Sequence, residues 1–504
     1  MLRISLLFSL LITGLSAAAS KPNFVIINID DMGYADIAPF GSKLNRTPNL
    51  DRMAAEGMKL KCHYAAPVCS PSRASLMTGC YPKRVLPIPG VLFPSAALGL
   101  NPSEKTVAEV LKEQGYATMC IGKWHLGDQP EFLPTKQGFD HYFGIPYSND
   151  MGTAAEGSKS DLDAPLPQTK TPADDDGAIP DIGLGGPKQP PLPLVYDGKV
   201  IDRIDANGQQ SITKRYTEEA VKFITSNKDR SFFLYLPHNA VHFPIYPGRD
   251  FAHKSPNGIY SDWVEEVDWS VGQVLDTLRK LKLDANTFVL FTSDNGGTPR
   301  AVNTPLRGFK TTTWEGGMRV PTIAWWPGNV PAGTSTDEIT GMMDVLPTFA
   351  AIAGGKLPDH KIDGADVSPV LLGKAGAKSP HADAFYYYRG LKLEAVRSGD
   401  WKLQLASGDV PKKNGGPAGK KQAGAAAQQE PFPRLYNLAD DIGESKNVAA
   451  QHADVVARLQ VLADKMKDDL GLDGVGPGCR EMGRVAKPQA LISRDGKIRE
   501  GFAP

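Results

Sequence analysis

Cys69 and Arg73 stand four residues apart in Cys69-Ser70-Pro71-Ser72-Arg73, a run that continues to Leu76-Met77-Thr78-Gly79. Pro71 suits the first turn of a helix, where a missing N–H costs nothing. The free N–H groups and dipole of that turn, with Arg73, favour an anion beside residue 69. The plainer alternative is a helix start over a buried thiol. Two further pairs, Asp30-Asp31 and Asp294-Asn295, each follow an apolar run. Adjacent carboxylates at the end of a buried strand repel one another unless a cation joins them. Oxygen-only donors select a hard ion, Ca²⁺ or Mg²⁺, over zinc. Taken alone, Asp294-Asn295-Gly296-Gly297 also reads as a turn. Lys123 and His125, in Gly122-Lys123-Trp124-His125-Leu126-Gly127, point into one site if the chain is extended there. His238 and His242 follow another apolar run, and Lys310 ends Leu306-Arg307-Gly308-Phe309-Lys310. These groups suit an anionic substrate held beside residue 69 and a divalent cation.

Such groups need elements to position them. Phe24 to Ile29, Tyr116 to Ile121, Phe232 to Leu236 and Thr287 to Phe291 read as buried strands. Helices are expected from Thr47 to a stop at Gly57, over Glu104 to Gln114, over Lys214 to Thr225 and over Ser261 to Leu281. Strands alternating with helices indicate an α/β fold with a mostly parallel sheet covered on both faces. Asp30 and Asp31, Lys123 and His125, His242, and Asp294 and Asn295 each follow one of these strands. In open α/β sheets the ligand crevice lies at the carboxyl ends of the strands, so topology and motifs agree. Asp161 to Pro193 reads as a surface excursion. Short strands over Ala384 to Arg389, Leu393 to Arg397 and Trp401 to Leu405 suggest a small antiparallel sheet. Ser407 to Pro433 is low-complexity. Order returns at Leu435 to Leu438, and an amphipathic helix is expected over His452 to Leu470. The expected organisation is a signal peptide over 1–19, a catalytic domain over 20–380 and a smaller α+β domain over 381–504. No role is assigned to Asp473 to Pro504.

The run from Cys69 to Gly79 resembles the sulfatase signature C-x-P-S-R-x-x-L-x-T-G. Gly115 to Thr118 with Gly122 to Gly127 resembles the second signature of that family. Leu306 to Lys310, leading into Trp314-Glu315-Gly316-Gly317-Met318-Arg319-Val320-Pro321, is similar to its LRGxK…WEGGxRVP run, with Phe309 where a small residue is common. Gly144 to Asp150 resembles the arylsulfatase A branch. The resemblance extends from Lys21 to about Gly471. It implies an alkaline-phosphatase-like α/β core, with a mixed, mostly parallel sheet between helices and a small C-terminal sheet-and-helix domain. It further implies that Cys69 is oxidised to formylglycine (3-oxoalanine) by a formylglycine-generating enzyme. The hydrated aldehyde would attack sulfur and form a covalent sulfate intermediate, and its second hydroxyl would expel the sulfate. Asp30, Asp31, Asp294 and Asn295, with residue 69, would hold Ca²⁺, with Mg²⁺ as the alternative. Lys123, Ser148, His242 and Lys310 would bind the sulfate, and Arg73 would add to its electrostatic stabilisation. His125 would be the base at residue 69. His242, with Lys310, would protonate the leaving alcohol. Asn149 or Asp150 would reach the rest of the substrate. His238, read by itself, is more often a loop histidine and is kept only as a candidate substrate contact.

Composition bounds the partners. The chain has 504 residues and a formal net charge of zero, which gives no bulk attraction to nucleic acid or an anionic membrane. Arg3, an apolar Ile4 to Leu15 and Ala17-Ala18-Ala19 read as a secretory signal too short to span a bilayer. Export to a periplasm or the medium is therefore expected, without a membrane span. The five cysteines leave one for chemistry and four for disulfides or buried thiols. A sulfated carbohydrate is the expected substrate. The rivals are a phosphonate or phosphodiester hydrolase on the same fold, and a glycan-binding protein without activity.

Overall fold

The computed structural model describes residues 21–167, 179–408 and 431–504. The signal-peptide expectation, the middle of the 161–193 excursion and most of the low-complexity run lie outside them. The main sheet has ten strands. In chain order they are β1 (Asn23–Ile29), β2 (Met58–Leu60), β3 (Ala117–Ile121), β4 (His141–Gly144), β5 (Leu192–Tyr196), β6 (Lys199–Ile204), β7 (Phe232–Pro237), β8 (Thr287–Ser293), β9 (Thr322–Trp325) and β10 (Thr334–Thr336). Their spatial order is β10-β2-β9-β8-β1-β7-β3-β4-β5-β6. The central run from β8 through β1, β7 and β3 to β4 is parallel. Antiparallel pairs flank it on both sides.

Burial explains why the parallel strands are apolar along their whole length. Phe24 and Ile26 of β1 join one core, whereas Val25, Ile27 and Ile29 join the other, so both faces are covered. The first core is capped by α3 (Val107–Glu113) and α6 (Val345–Ala353). The second is capped by α1 (Pro48–Glu56), α4 (Ala206–Ser226) and α5 (Ile259–Lys280). Between α1 and α3 lies α2 (Cys69–Thr78), ended by Gly79 in the left-handed region.

Helix ends differ from the sequence expectation where caps decide them. The expected Glu104–Gln114 helix starts at Val107, because Thr106 and Glu109 form a reciprocal capping box. The expected Lys214–Thr225 helix starts eight residues earlier, at Ala206: the Asp205 carboxylate accepts from Gly208 N–H at 2.9 Å and caps it. The last helix, α7 (Ala453–Asp464), passes into a 3₁₀ turn at Lys465–Asp468 instead of running on to Leu470. Six of the ten strands were not anticipated: β2, β4, β9 and β10 have three or four residues and carry almost no periodicity, and β5 and β6 form an antiparallel pair whose start at Leu192 falls at the end of the expected surface excursion.

A separate antiparallel sheet is formed by β11 (Phe385–Arg389), β12 (Lys392–Ser398), β13 (Trp401–Gln404) and β14 (Arg434–Asn437). Its apolar face packs on α7 through Leu459 and Ala463. The final residues return to the large core. Gly483–Arg484 pairs with Leu98–Gly99, Arg480 bonds Glu104 at 2.7 Å, and Leu491 and Ile492 are buried in the first core. All five cysteines are free thiols.

Candidate active site

The site assembles where the parallel strands end. Ile29 pairs with Ser293 in the register of β1 and β8, so Asp30 and Asp294 emerge side by side. Asp294 N–H donates to Ile29 O at 2.9 Å, and Asp30 N–H donates to Ala240 O at 2.8 Å. Asp31 has φ of 63° and His125 has φ of 62°, a region that non-glycine residues rarely adopt. Both turn sharply out of their strands at this edge. Gly122 makes the turn after β3 possible, because a Cβ there would lie 1.8 Å from Pro237 O. Lys123 is thereby directed across the end of β7, its N–H donating to Pro237 O at 2.8 Å.

Cys69 is the first residue of α2 and is buried. Arg73, one turn later on the same face, lies between the carboxylates. Its Nε and Nη2 donate to Asp294 Oδ2 at 2.9 and 2.7 Å, Nη2 reaches Asp30 Oδ2 at 3.3 Å, and Nη1 donates to Lys123 O at 2.5 Å. Lys123 Nζ donates to Asp30 Oδ2 and, at 3.1 Å, to Ser148 Oγ. Asn295 Nδ2 donates to Asp31 Oδ1 at 2.8 Å, and Lys310 Nζ meets the same oxygen at 2.6 Å. His242 Nε2 lies 3.7 Å from Asp31 Oδ2, while its Nδ1 is 2.5 Å from Phe243 O and 3.4 Å from Ser148 Oγ. A proton on Nδ1 is held by the Phe243 carbonyl, which leaves Nε2 as the working nitrogen. One donor atom from each of Asp30, Cys69 and His242 lies within 4.8 Å of the others, and the same holds for Asp30, Asp31 and Asp294.

Electrostatics sort these groups. Burial pushes the Asp30 carboxyl up, but Lys123, His242, Arg73 and Lys310 override it and hold it well below the usual range. Asp294 is raised, by burial and then by the neighbouring Asp30 charge. Burial opposes the Lys310 charge, yet Asp31 holds that ammonium above its ordinary value. Burial raises the Cys69 thiol. Burial, Lys123 and Arg73 together push His125 well below the usual imidazole value, so it is a neutral base. Its Nε2 is 2.8 Å from Leu92 O and its Nδ1 has no hydrogen-bond partner among the described residues.

The donor set fits a hard divalent cation. Asp30 Oδ1 and Asn295 Oδ1 are buried and accept no hydrogen bond among the described residues, an expensive state unless they meet a ligand. All eleven expected site residues, Asp30, Asp31, Cys69, Arg73, Lys123, His125, Ser148, His242, Asp294, Asn295 and Lys310, come to this one strand edge. His238 does not. It packs between β7 and α5, with Nε2 3.2 Å from Ser270 Oγ, and burial lowers it to about 3. Asn149 braces the His242 loop, donating to Gln209 Oε1 at 3.1 Å and Pro244 O at 3.3 Å.

One supporting group was missed. Lys402 of β13 is fully buried and holds Thr313 O at 2.8 Å and Glu315 Oε1 at 2.9 Å, three to five residues past Lys310. Nothing around Trp401-Lys402-Leu403 distinguishes it from an ordinary strand lysine, so only the sheet packing reveals it.

Known proteins resemble this chain in sequence and fold. The sulfatase family pattern matches residues 22–355, and that of the C-terminal region of aryl-sulfatase matches residues 379–475. Human arylsulfatase A is 38% identical over 449 residues, covering 86% of this chain and 84% of its own. The N-acetylgalactosamine-6-sulfatase of Canis lupus familiaris is 37% identical, covering 80% of this chain and 75% of its own. Among solved structures, Ps i-CgsB in complex with k-i-k-neocarrahexaose has a TM-score of 0.69 at 30% identity, covering 88% of this chain and 92% of that one. With its ten-stranded mixed sheet between helices and its separate four-stranded sheet, the chain belongs to the sulfatase family, sulfuric ester hydrolases of the alkaline-phosphatase-like superfamily.

Proposed function

We propose that this sulfatase is exported and removes sulfate from carbohydrates, using residue 69 as formylglycine and Ca²⁺, with Mg²⁺ as the alternative. The observation that carries this is the meeting of Cys69, at a helix start, with three carboxylates and with Lys123, His242 and Lys310 at one strand edge. The carbohydrate substrate rests on the hexaose in the Ps i-CgsB structure and on the N-acetylgalactosamine-6-sulfatase relative. Residues 20–380 would form the catalytic unit and 381–504 the C-terminal unit.

Asp30, Asp31, Asp294 and Asn295, with residue 69, would hold the cation, which when bound polarises sulfate oxygens and the nucleophile. The hydrated aldehyde would supply one hydroxyl as nucleophile and a second whose deprotonation releases sulfate through the formylglycine-sulfate intermediate. The chain's own residues do the rest. Arg73 fixes Asp294 and Asp30 in place. Lys123, Ser148 and Lys310 receive the sulfate oxygens as preorganised donors. His125, neutral and oriented by Leu92 O, takes the proton from residue 69 at Nδ1. His242 holds a proton at Nε2, beside Asp31, for the departing alkoxide, with Lys310 assisting.

The test is the mass of the residue-69 peptide after co-expression with a formylglycine-generating enzyme, followed by paired assays on sulfate and phosphate esters of one alcohol. Formylglycine and faster sulfate hydrolysis are expected. Cys69→Ser should be sulfated once and stall. Repeated turnover by that variant overturns the nucleophile assignment, and faster phosphate hydrolysis overturns the substrate class.

A further inference from the structure

A cavity of about 480 Å³, lined by none of the residues of the active site, lies between the first turns of α4, the segment 248–251 and the third turn of α5. Its size is that of a small-ligand site. Because α4 and α5 lead back to the starts of β7 and β8, their first turns lie at the strand edge that carries the active site. The segment from His242 to Gly248 links the two places. Six residues of chain span at most about 20 Å.

The floor is Glu266, which is 1% exposed. Its Oε2 accepts from Gly248 N–H at 2.7 Å, the one hydrogen bond this carboxyl makes among the described residues. Burial raises it to about 8, so it enters neutral solution as an acid able both to donate and to accept. A buried carboxyl with one backbone partner is costly as packing. Two half-buried aromatic rings form the wall: Phe251 and Trp269 have centroids 5.8 Å apart, tilted by 51°. The rim carries charge. Lys214 is 3.9 Å from Asp250 with its side chain 54% exposed, and Arg249 Nη2 donates to Asn207 Oδ1 at 3.2 Å. Two cations thus face one exposed carboxylate around an aromatic wall and a hydroxyl-binding floor. That chemistry matches a sugar ring bearing hydroxyls and an anionic group.

We propose that this cavity is a second saccharide site, which binds an anionic sugar unit of the same glycan whose sulfate ester occupies the active site. The proposal rests on the carbohydrate substrate argued above. Trp269 and Phe251 would cover the ring, Glu266 would meet hydroxyls, and Lys214 and Arg249 would meet a sulfate or carboxylate.

Steady-state kinetics on sulfated hexasaccharides and matching disaccharides of chondroitin sulfate, carrageenan and sulfated fucan test it, with 4-nitrophenyl sulfate as reference. The hexasaccharide that is hydrolysed should show a KM at least about five-fold below its disaccharide. Trp269→Ala, and separately Lys214→Ala with Arg249→Ala, should erase that advantage with kcat unchanged and leave 4-nitrophenyl sulfate kinetics as in the wild type. The lysine and arginine variants change only exposed side chains, so they keep the test valid if Trp269→Ala unfolds. Competition by unsulfated chondroitin hexasaccharide would identify a carboxylate as the bound anion, and competition by sulfated chains alone would identify a sulfate. Equal KM values for hexasaccharide and disaccharide, or folded variants that keep the advantage, overturn the proposal. So does failure of every hexasaccharide to bind Cys69→Ala protein while the wild type turns over 4-nitrophenyl sulfate. Failure to hydrolyse 4-nitrophenyl sulfate after residue 69 is converted counts instead against the catalytic assignment.

Discussion

Lys402 places its ammonium between two buried carboxylates. Its Nζ lies 2.9 Å from Glu315 Oε1 and 2.8 Å from Glu444 Oε1, all three side chains being fully buried. Burial pushes both carboxyls up, but Lys402, then Arg319 and Arg397, pull Glu315 down to about 2. Glu444 is left at about 7, raised by burial that Lys402 only partly offsets. The two groups therefore act oppositely with pH. Glu315 adds stability above its ordinary 4.5, lost as pH falls toward about 2. Glu444 adds stability below 4.5, lost as pH rises through about 7.

Lys402→Met keeps the side-chain length and removes the ammonium. Breaking one partner out of a buried pair costs about 3–5 kcal/mol, because the other charge stays behind. Protonation absorbs part of that cost at low pH, where Glu444 is already neutral. The loss should thus be larger at pH 8.5 than at pH 5.5, by about 1–2 kcal/mol, given about 1.4 kcal/mol per pKa unit. Glu444→Gln in the same background removes one stranded charge and should recover part of the loss at pH 8.5. Urea unfolding of the wild type, the single variant and the double variant at both pH values measures all three quantities. A loss under about 1 kcal/mol, against the 3–5 kcal/mol expected of a buried pair, would refute the reasoning. Equal losses at the two pH values would refute its electrostatic part.

Removing divalent cations with a chelator should abolish turnover and lower the melting temperature, since a cation at 100 times its Kd stabilises by about 2.7 kcal/mol. A melting temperature unmoved across a calcium titration would count against the cluster of Asp30, Asp31 and Asp294 as its site. His242→Gln should slow sugar sulfates by about 10²–10⁴-fold and 4-nitrophenyl sulfate far less, because only the poor leaving group needs a proton. Equal slowing of both substrates would assign His242 to sulfate binding alone.

Much of this site was legible because its residues sit next to features that sequence shows well. Asp30 and Asp294 follow strands buried on both faces, and such strands are continuous apolar runs. Cys69 precedes a proline at a helix start, and Lys123 follows a glycine that the fold requires. The distance information was not legible. Nothing in the spacing says that Arg73 bonds Asp294 across 221 residues, or that Asp31 holds Lys310. His238 stayed open between loop residue and substrate contact because a histidine after a buried strand has two faces to choose from, and this one turns toward Ser270 of α5. The tail misled by silence. Residues 483–484 make a two-residue strand, too short for any periodicity, yet they bind the chain end to the large core.

The charges of the site divide by depth, and the division says what each is for. Asp30, Asp31 and Asp294 face Arg73, Lys123 and Lys310, so the formal sum is zero before any ligand arrives. Arg73 and Lys123 have no exposed side-chain surface, and their partners are equally buried. They neutralise carboxylates that would otherwise repel one another, and so keep the donor cluster within 4.8 Å. Lys310 and His242 retain 15% and 11% of their side-chain exposure and stand on the open side. A divalent cation adds two positive charges and a sulfate monoester one negative, which leaves an excess of one positive charge before the charge of a doubly protonated His242 is counted. At about 4 Å and an effective dielectric near 20, such an excess is worth about 4 kcal/mol to a negative charge growing on the transferring group. On the proposed mechanism the inner cations would build the site, and the outer lysine and histidine would be the ones free to follow charge as the S–O bond breaks.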